Sequence, residues 1–315
     1  FGRRTSMLHS LALLPTIALG APGASPPPPI DAKSDPTKAN AQAEASRAAA
    51  RSCSAGLHGA RGIAALLCAL RETTAVAEAE LARLGIEPNR WWRNMGHVDQ
   101  VPEEIELLRG AVIGAVPPVQ HVCQVGHNAG HSGVTMIDGL GTTLASFDLF
   151  SLPYSKASQD FIAGRYPNRV SYYRGRSQNT IRAYAEEVAQ GRAPLCDLWF
   201  IDGDHWHGAL LDMKAALTVS RDAAVIIADD CTARHTLVMS AWRTMVSGGF
   251  IVDDFNRSYS LPSPAGLKGW CVGRYRKRDG DAAELKKGFE GANRLSIDPI
   301  SGAALDPRGK SWRRR

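Results

Sequence analysis

Short apolar runs alternate with helix-period segments through the middle of the chain. Runs at 121–125, 144–149, 170–173, 196–201 and 223–228 read as strands, and two more follow at 250–252 and 269–275. Between them, Ile181, Tyr184, Ala185 and Val188 fall on one helical face, as do Val238, Ala241, Trp242 and Met245. Strands that read as continuous apolar runs, separated by amphipathic helices, predict a parallel sheet covered on both faces. The last two strands are joined by a loop at 256–268 with no helical pattern, so they are expected to pair antiparallel. The predicted fold is α/β: a Rossmann-like, seven-stranded, mostly parallel sheet with an antiparallel final pair and helices on both faces.

Upstream lies an Ala-rich stretch at 39–84. Ile63, Leu66, Leu67 and Leu70 share a helical face, and Gly85 and Pro88 end the pattern. A short helix at 102–112 leads into Pro117-Pro118. Residues 39–112 therefore read as an N-terminal helical extension of a domain at 113–280. Residues 1–38 read as a targeting-like segment and linker. Arg3-Arg4 precedes an apolar run at 7–19 broken by His9, Ser10, Pro15 and Thr16, and small residues follow. That order resembles a secretory signal, with an organellar transit peptide or an unstructured end as alternatives and the cytoplasm as the default without targeting. The run is too short for a stable membrane span. Four prolines at 26–29 favour extended polyproline II.

Charge changes this picture little. The net charge of +6 resides in the ends: +4 in the last fifteen residues and +2 in the first twenty, which leaves the body neutral. No nucleic-acid partner is expected from a neutral body without a basic stripe. The basic tail at 281–315 is taken as a solvated terminus. None of the six cysteines forms a C-x-x-C pair, so zinc is not suggested. Cys123, Cys196 and Cys271 lie in strands and are expected to act as small apolar side chains, without a disulfide framework.

The chemistry concentrates after the strands. Cys123-Gln124-Val125-Gly126-His127-Asn128-Ala129-Gly130-His131-Ser132 places two glycines between the first strand and a helix whose N-terminus offers free amides. Asp148 ends the second strand about 20 residues on, where an acid accepts ribose hydroxyls; the plainer alternative is a helix cap. His127 and His131 read as local polar contacts, and Trp91-Trp92 and Trp242 as packing. Phe200-Ile201-Asp202-Gly203-Asp204-His205 and Ala228-Asp229-Asp230-Cys231 end the fourth and fifth strands. Four carboxylates at one sheet edge repel unless something positive sits among them, and a divalent cation is the natural candidate. One or two of the four are expected only to cap helices.

These segments, with Ser146-Phe147-Asp148-Leu149 and Arg174-Gly175-Arg176-Ser177, resemble the class I S-adenosylmethionine-dependent methyltransferases, within them the small-molecule and sugar O-methyltransferase group that includes macrocin O-methyltransferase-like proteins. The resemblance covers about half of the chain. It implies cofactor contacts at Gln124, Gly126, Asn128, Gly130, Ser132, Asp148, Ser177 and Asp202. It also implies a divalent cation, Mg²⁺, on Asp202, Asp229 and Asp230, with His205 as general base for a small-molecule acceptor. Two positions depart from the family pattern: Gln124 stands where an acid is usual, and Arg176 where an Asp is usual beside adenine. They keep open a degenerate, non-catalytic binding protein on this fold; a hydroxylase-like enzyme on the same sheet is the other alternative. A homo-oligomer stays open.

Overall fold

In the computed structural model, the described residues are 62–86, 98, 101–205, 208–254, 259–263 and 266–277, with two two-residue strands further on. The targeting-like segment, the proline linker, Trp91, Trp92, Trp206 and most of the tail lie outside them. Five strands, β1 (His121–Val125), β2 (Thr143–Asp148), β3 (Val170–Arg174), β4 (Cys196–Ile201) and β5 (Ser220–Ala228), are parallel to one another. Between and after them come α3 (His131–Ile137), α4 (Ser155–Arg165), α5 (Ser177–Ala189), α6 (Gly208–Thr218) and α7 (Thr236–Ser247). Then follow β6 (Ile251–Asp253), β7 (Tyr259–Ser263) and β8 (Gly266–Tyr275). The main sheet runs β3-β2-β1-β4-β5-β8-β6, with β8 antiparallel to both β5 and β6.

The apolar runs of β1, β2, β4 and the end of β5 are buried on both faces, as continuous runs should be, while β3 at the sheet edge is only partly buried. Cys123, Val125, Phe147, Trp199, Ile201 and Ile226 face one core with α5, α6 and α7. Val122, Leu144, Leu198, Phe200, Val225 and Ile227 face the other. The stripe read on α7 holds: Val238, Ala241, Trp242 and Met245 are all buried.

Two expectations change. The loop at 256–268 contains β7, which forms a hairpin with the first half of β8. In α1 (Ile63–Arg83), Leu66 and Leu70 are buried but Ile63 is 55% exposed. The buried stripe there is carried by small residues instead, including Ala69, Thr73 and Ala77, which let α1 lie close on α3 and α4. The short helix read at 102–112 is present as α2 (Pro102–Ile113), and it packs on α3.

The cysteines are also corrected. Cys123 and Cys196 are disulfide-bonded across β1 and β4, and Cys231 and Cys271 across the end of β5 and β8. Each thiol does sit in or beside a buried strand. What the linear sequence hides is strand order: β1 and β4 are neighbours, and both thiols point into the same core. A 5.8 Å Cα separation then suits a bridge.

Candidate active site

All parallel strands end on one edge, and the predicted site residues meet there. Gly126 leaves β1 with φ +87°, a conformation that side chains rarely adopt. A Cβ at that position would lie 1.9 Å from the carbonyl oxygen of Asp202, so only glycine lets the turn pass the end of β4. Gly130, φ +95°, opens α3 and is packed against Ile162 and His127.

The residues assigned to the cofactor divide into two groups. Gln124 is fully buried. Its amide oxygen accepts the hydroxyl of Ser132 at 3.1 Å, and its amide nitrogen donates to Ser146 at 2.9 Å. Gln124, Ser132 and Gly130 therefore lie beneath the turn and brace it. Gly126, Asn128, Asp148, Ser177 and Asp202 are partly exposed above it. The backbone amides of His127 and Phe150 donate to the two oxygens of Asp148, each at 2.6 Å. Each oxygen retains acceptor capacity for a hydroxyl donor, so the donor set still fits a ribose. The Asn128 side chain accepts from Tyr154. The Ser177 hydroxyl donates to Asp212 at 2.6 Å. Burial pushes Asp212 up to about 7. Arg176 is exposed before α5.

His127 and His131 are local contacts. His127 packs against Phe150 and Tyr172, and burial lowers its pKa to about 4. His131 Nε2 lies 2.8 Å from Thr74 of α1.

The four carboxylates do converge, and one of them is a cap: Asp204 accepts the amide of Gly208 at the start of α6. Among the other three sit positive charges that the chain itself supplies. Lys268 of β8, 8% exposed, is ion-paired with Asp229, and its Nζ lies 3.6 Å from Asp230. His205 bridges Asp202, Nε2 to Oδ1 3.2 Å, and Asp230, Nδ1 to Oδ2 2.9 Å. His235, at the residue preceding α7, has its Nδ1 3.8 Å from the same Asp230 oxygen. Glu104 from α2 is buried beneath this group. An open cavity of about 240 Å³ lined by Gly203, Asp204, His205 and His235 leads to it.

The electrostatics follow from burial and pairing. Burial alone would lower the pKa of His205, but Asp202 and Asp230 outweigh it and raise it to about 10. Asp229 is pushed up to about 7, by burial first, with the lysine opposing. Asp230 is held below its ordinary value because His205 and Lys268 outweigh its burial. The Lys268 ammonium is held well above its usual value: burial opposes it, but Asp229, Glu104, Asp202 and Asp230 prevail. Glu104 is raised, chiefly by burial and then by Asp229.

Two roles expected from the sequence meet a competitor here. A general base needs a free ring nitrogen, and both nitrogens of His205 face carboxylates, which keep the ring protonated at neutral pH. A metal on Asp202, Asp229 and Asp230 needs Asp229, and Lys268 occupies it. The raised pKa of His205 has a stability consequence in the metal-free protein. Its folded value lies above the unfolded 6.5, so its contribution is complete below pH 6.5 and is lost as pH rises toward about 10. Between pH 7 and pH 10, His205→Gln should therefore lose less stability in urea denaturation than the parent. An equal loss in both proteins would contradict the double carboxylate pairing.

The sequence alone did not single out Lys268, His235 or Glu104. The repulsion among the acids was the available signal, and it pointed to a missing positive charge without saying which residue carried it.

Comparison with known proteins agrees with this architecture. A family model described as a methyltransferase domain matches residues 123–231, from the first strand to the end of the fifth. Among solved structures, the chain is similar to the O-methyltransferase TomG from Streptomyces achromogenes. The identity is 13% and the TM-score 0.50, over 65% of this chain and 90% of that one. It is also similar to an O-methyltransferase from Bacillus cereus, at 17% identity and TM-score 0.49, over 66% and 90% of the two chains. No curated protein sequence matches the chain. Nothing in these likenesses singles out the macrocin-like group. Sheet order, strand directions and the placement of the glycine turn together give the chain the class I S-adenosylmethionine-dependent methyltransferase fold.

Proposed function

We propose that this protein transfers a methyl group from S-adenosylmethionine to a hydroxyl of a small molecule or sugar, with a divalent cation at the acidic edge. The observation that carries the reading is the convergence, on one sheet edge, of the Gly126 turn, the partly exposed Asp148 and an open cavity beside Asp202 and His205. In this reading Gly126, Asn128, Asp148, Ser177 and Asp202 contact the cofactor, while Gln124, Gly130 and Ser132 hold the turn in shape. The chain's part in the reaction is chiefly positioning: it fixes the methyl donor at the turn and the acceptor in the cavity, so that the two meet in line. When bound, a cation would lower the pKa of an acceptor hydroxyl.

The second reading, a binding protein that retains the fold without catalysis, is favoured by one observation. Gln124 is sealed under the turn and offers the cofactor no group. One experiment separates the two. Incubation with methyl-labelled S-adenosylmethionine and a panel of hydroxylated metabolites, read by mass, should show label in a product, with Asp148→Ala reducing it. Cofactor binding without transfer to any acceptor, with or without added divalent cations, would favour the binding protein.

A further inference from the structure

We infer that His205, Asp230 and His235 form a two-histidine, one-carboxylate site for a divalent cation of the zinc or cobalt class. Their candidate ligand atoms all lie within 4.8 Å of one another. The inference deepens the reading of this edge as the reaction site, but the binding step itself does not require S-adenosylmethionine.

Four observations converge on it. First, His235 Nδ1 is buried and makes no hydrogen bond among the described residues. It is aimed at Asp230 from 3.8 Å, too far to be satisfied by that oxygen. A buried ring nitrogen with no partner is costly unless something else fills the gap. Second, the rings of His205 and His235 stand nearly perpendicular, at 81°, with centroids 5.5 Å apart. Both therefore address the same Asp230 oxygen from different directions. Third, His205 turns its other nitrogen to Asp202 at 3.2 Å. That is the outer-sphere carboxylate that metal-binding histidines ordinarily have, fixing the tautomer and strengthening the ligand. Fourth, the charges balance. A bound ion would displace the proton that His205 holds in the metal-free protein; with both imidazoles then neutral, Asp202, Asp229 and Asp230 face one ammonium, that of Lys268, which leaves two negative charges in excess. One divalent ion neutralises them.

The donor set decides the metal class. Three carboxylates would suit Mg²⁺, but Lys268 removes Asp229 from that set. Two imidazoles and one carboxylate instead suit zinc, cobalt and similar ions. The cavity lined by Gly203, Asp204, His205 and His235 gives the ion a way in and leaves an open side for an acceptor oxygen.

The test uses the full chain, stripped by a chelator that is then removed, and needs no acceptor. Co²⁺ is titrated while visible absorption and heat are followed. The expected result is one equivalent bound with micromolar affinity and a ligand-field band, Zn²⁺ displacing it and Mg²⁺ failing to compete. Asp202→Asn should weaken Co²⁺ binding by about 10- to 100-fold, and His235→Ala by more. Three results would overturn the inference: no band and no heat at millimolar Co²⁺, binding unchanged in His235→Ala, or Mg²⁺ binding as tightly as Co²⁺. A parallel titration with S-adenosylmethionine keeps the two readings apart. Metal binding without cofactor binding leaves this site standing and sinks the methyltransferase reading; the reverse removes only the site.

Discussion

Lys268→Met is expected to destabilise the protein by about 3–5 kcal/mol, the loss typical of removing one partner of a buried ion pair. The lysine is 8% exposed and Asp229 is 2% exposed. Without the ammonium, Asp229 faces Asp230 and Asp202 with no cation of its own, and its free oxygen Oδ1 already makes no hydrogen bond among the described residues. The cost lies in the stranded charge rather than in lost packing, because methionine fills a similar volume. The double variant Lys268→Met with Asp229→Asn should therefore recover most of the loss, as a double-mutant cycle on urea midpoints would show. A single-variant loss below about 1 kcal/mol would mean that the pair behaves like an exposed one.

Removing either the Cys123–Cys196 or the Cys231–Cys271 disulfide should cost about 4 kcal/mol. The Cys123–Cys196 bridge spans 73 residues and the Cys231–Cys271 bridge 40. Closing loops of that length removes much freedom from the unfolded chain, and the dependence on length is logarithmic, so the two effects are of similar size. Paired alanine substitutions, compared with the parent by urea denaturation, give the two values separately. The Cys231–Cys271 variant should also loosen the cation site, because Cys231 follows Asp230 and Cys271 lies three residues after Lys268. An unchanged midpoint in reductant, with the freed thiols verified by alkylation and mass, would contradict both expectations. Bridges of this kind persist in oxidising compartments.

The sequence stops being readable where residues meet across the sheet. Strand positions were legible because each buried strand is a run of apolar residues: the fourth, Cys196–Ile201, is as expected from the pattern alone. The glycine turn and Asp148 were legible because their spacing is set by one strand–helix–strand unit. Lys268 was not. It lies in β8 but reaches β5's end only because β8 inserts antiparallel between β5 and β6, a fact about topology rather than about local sequence. The same holds for Cys123 and Cys196, which meet because β1 and β4 are neighbours. His205 was singled out by its offset from Asp202, but its second carboxylate neighbour, Asp230, depends on the pairing of β4 with β5. Gln124, read as a cofactor contact, is fully buried beneath the turn, a placement set by which face of β1 it occupies.

The central claim is that the edge around Gly126 and Asp148 holds S-adenosylmethionine. Calorimetric titration of the full chain with that cofactor tests it most directly. Micromolar binding, on the order of −8 kcal/mol, is expected in the parent protein. It should weaken by about 1.5–3 kcal/mol in Asp148→Ala, through loss of hydrogen bonds to a charged group. No heat of binding at millimolar cofactor, in folded protein with its disulfides intact, would contradict it.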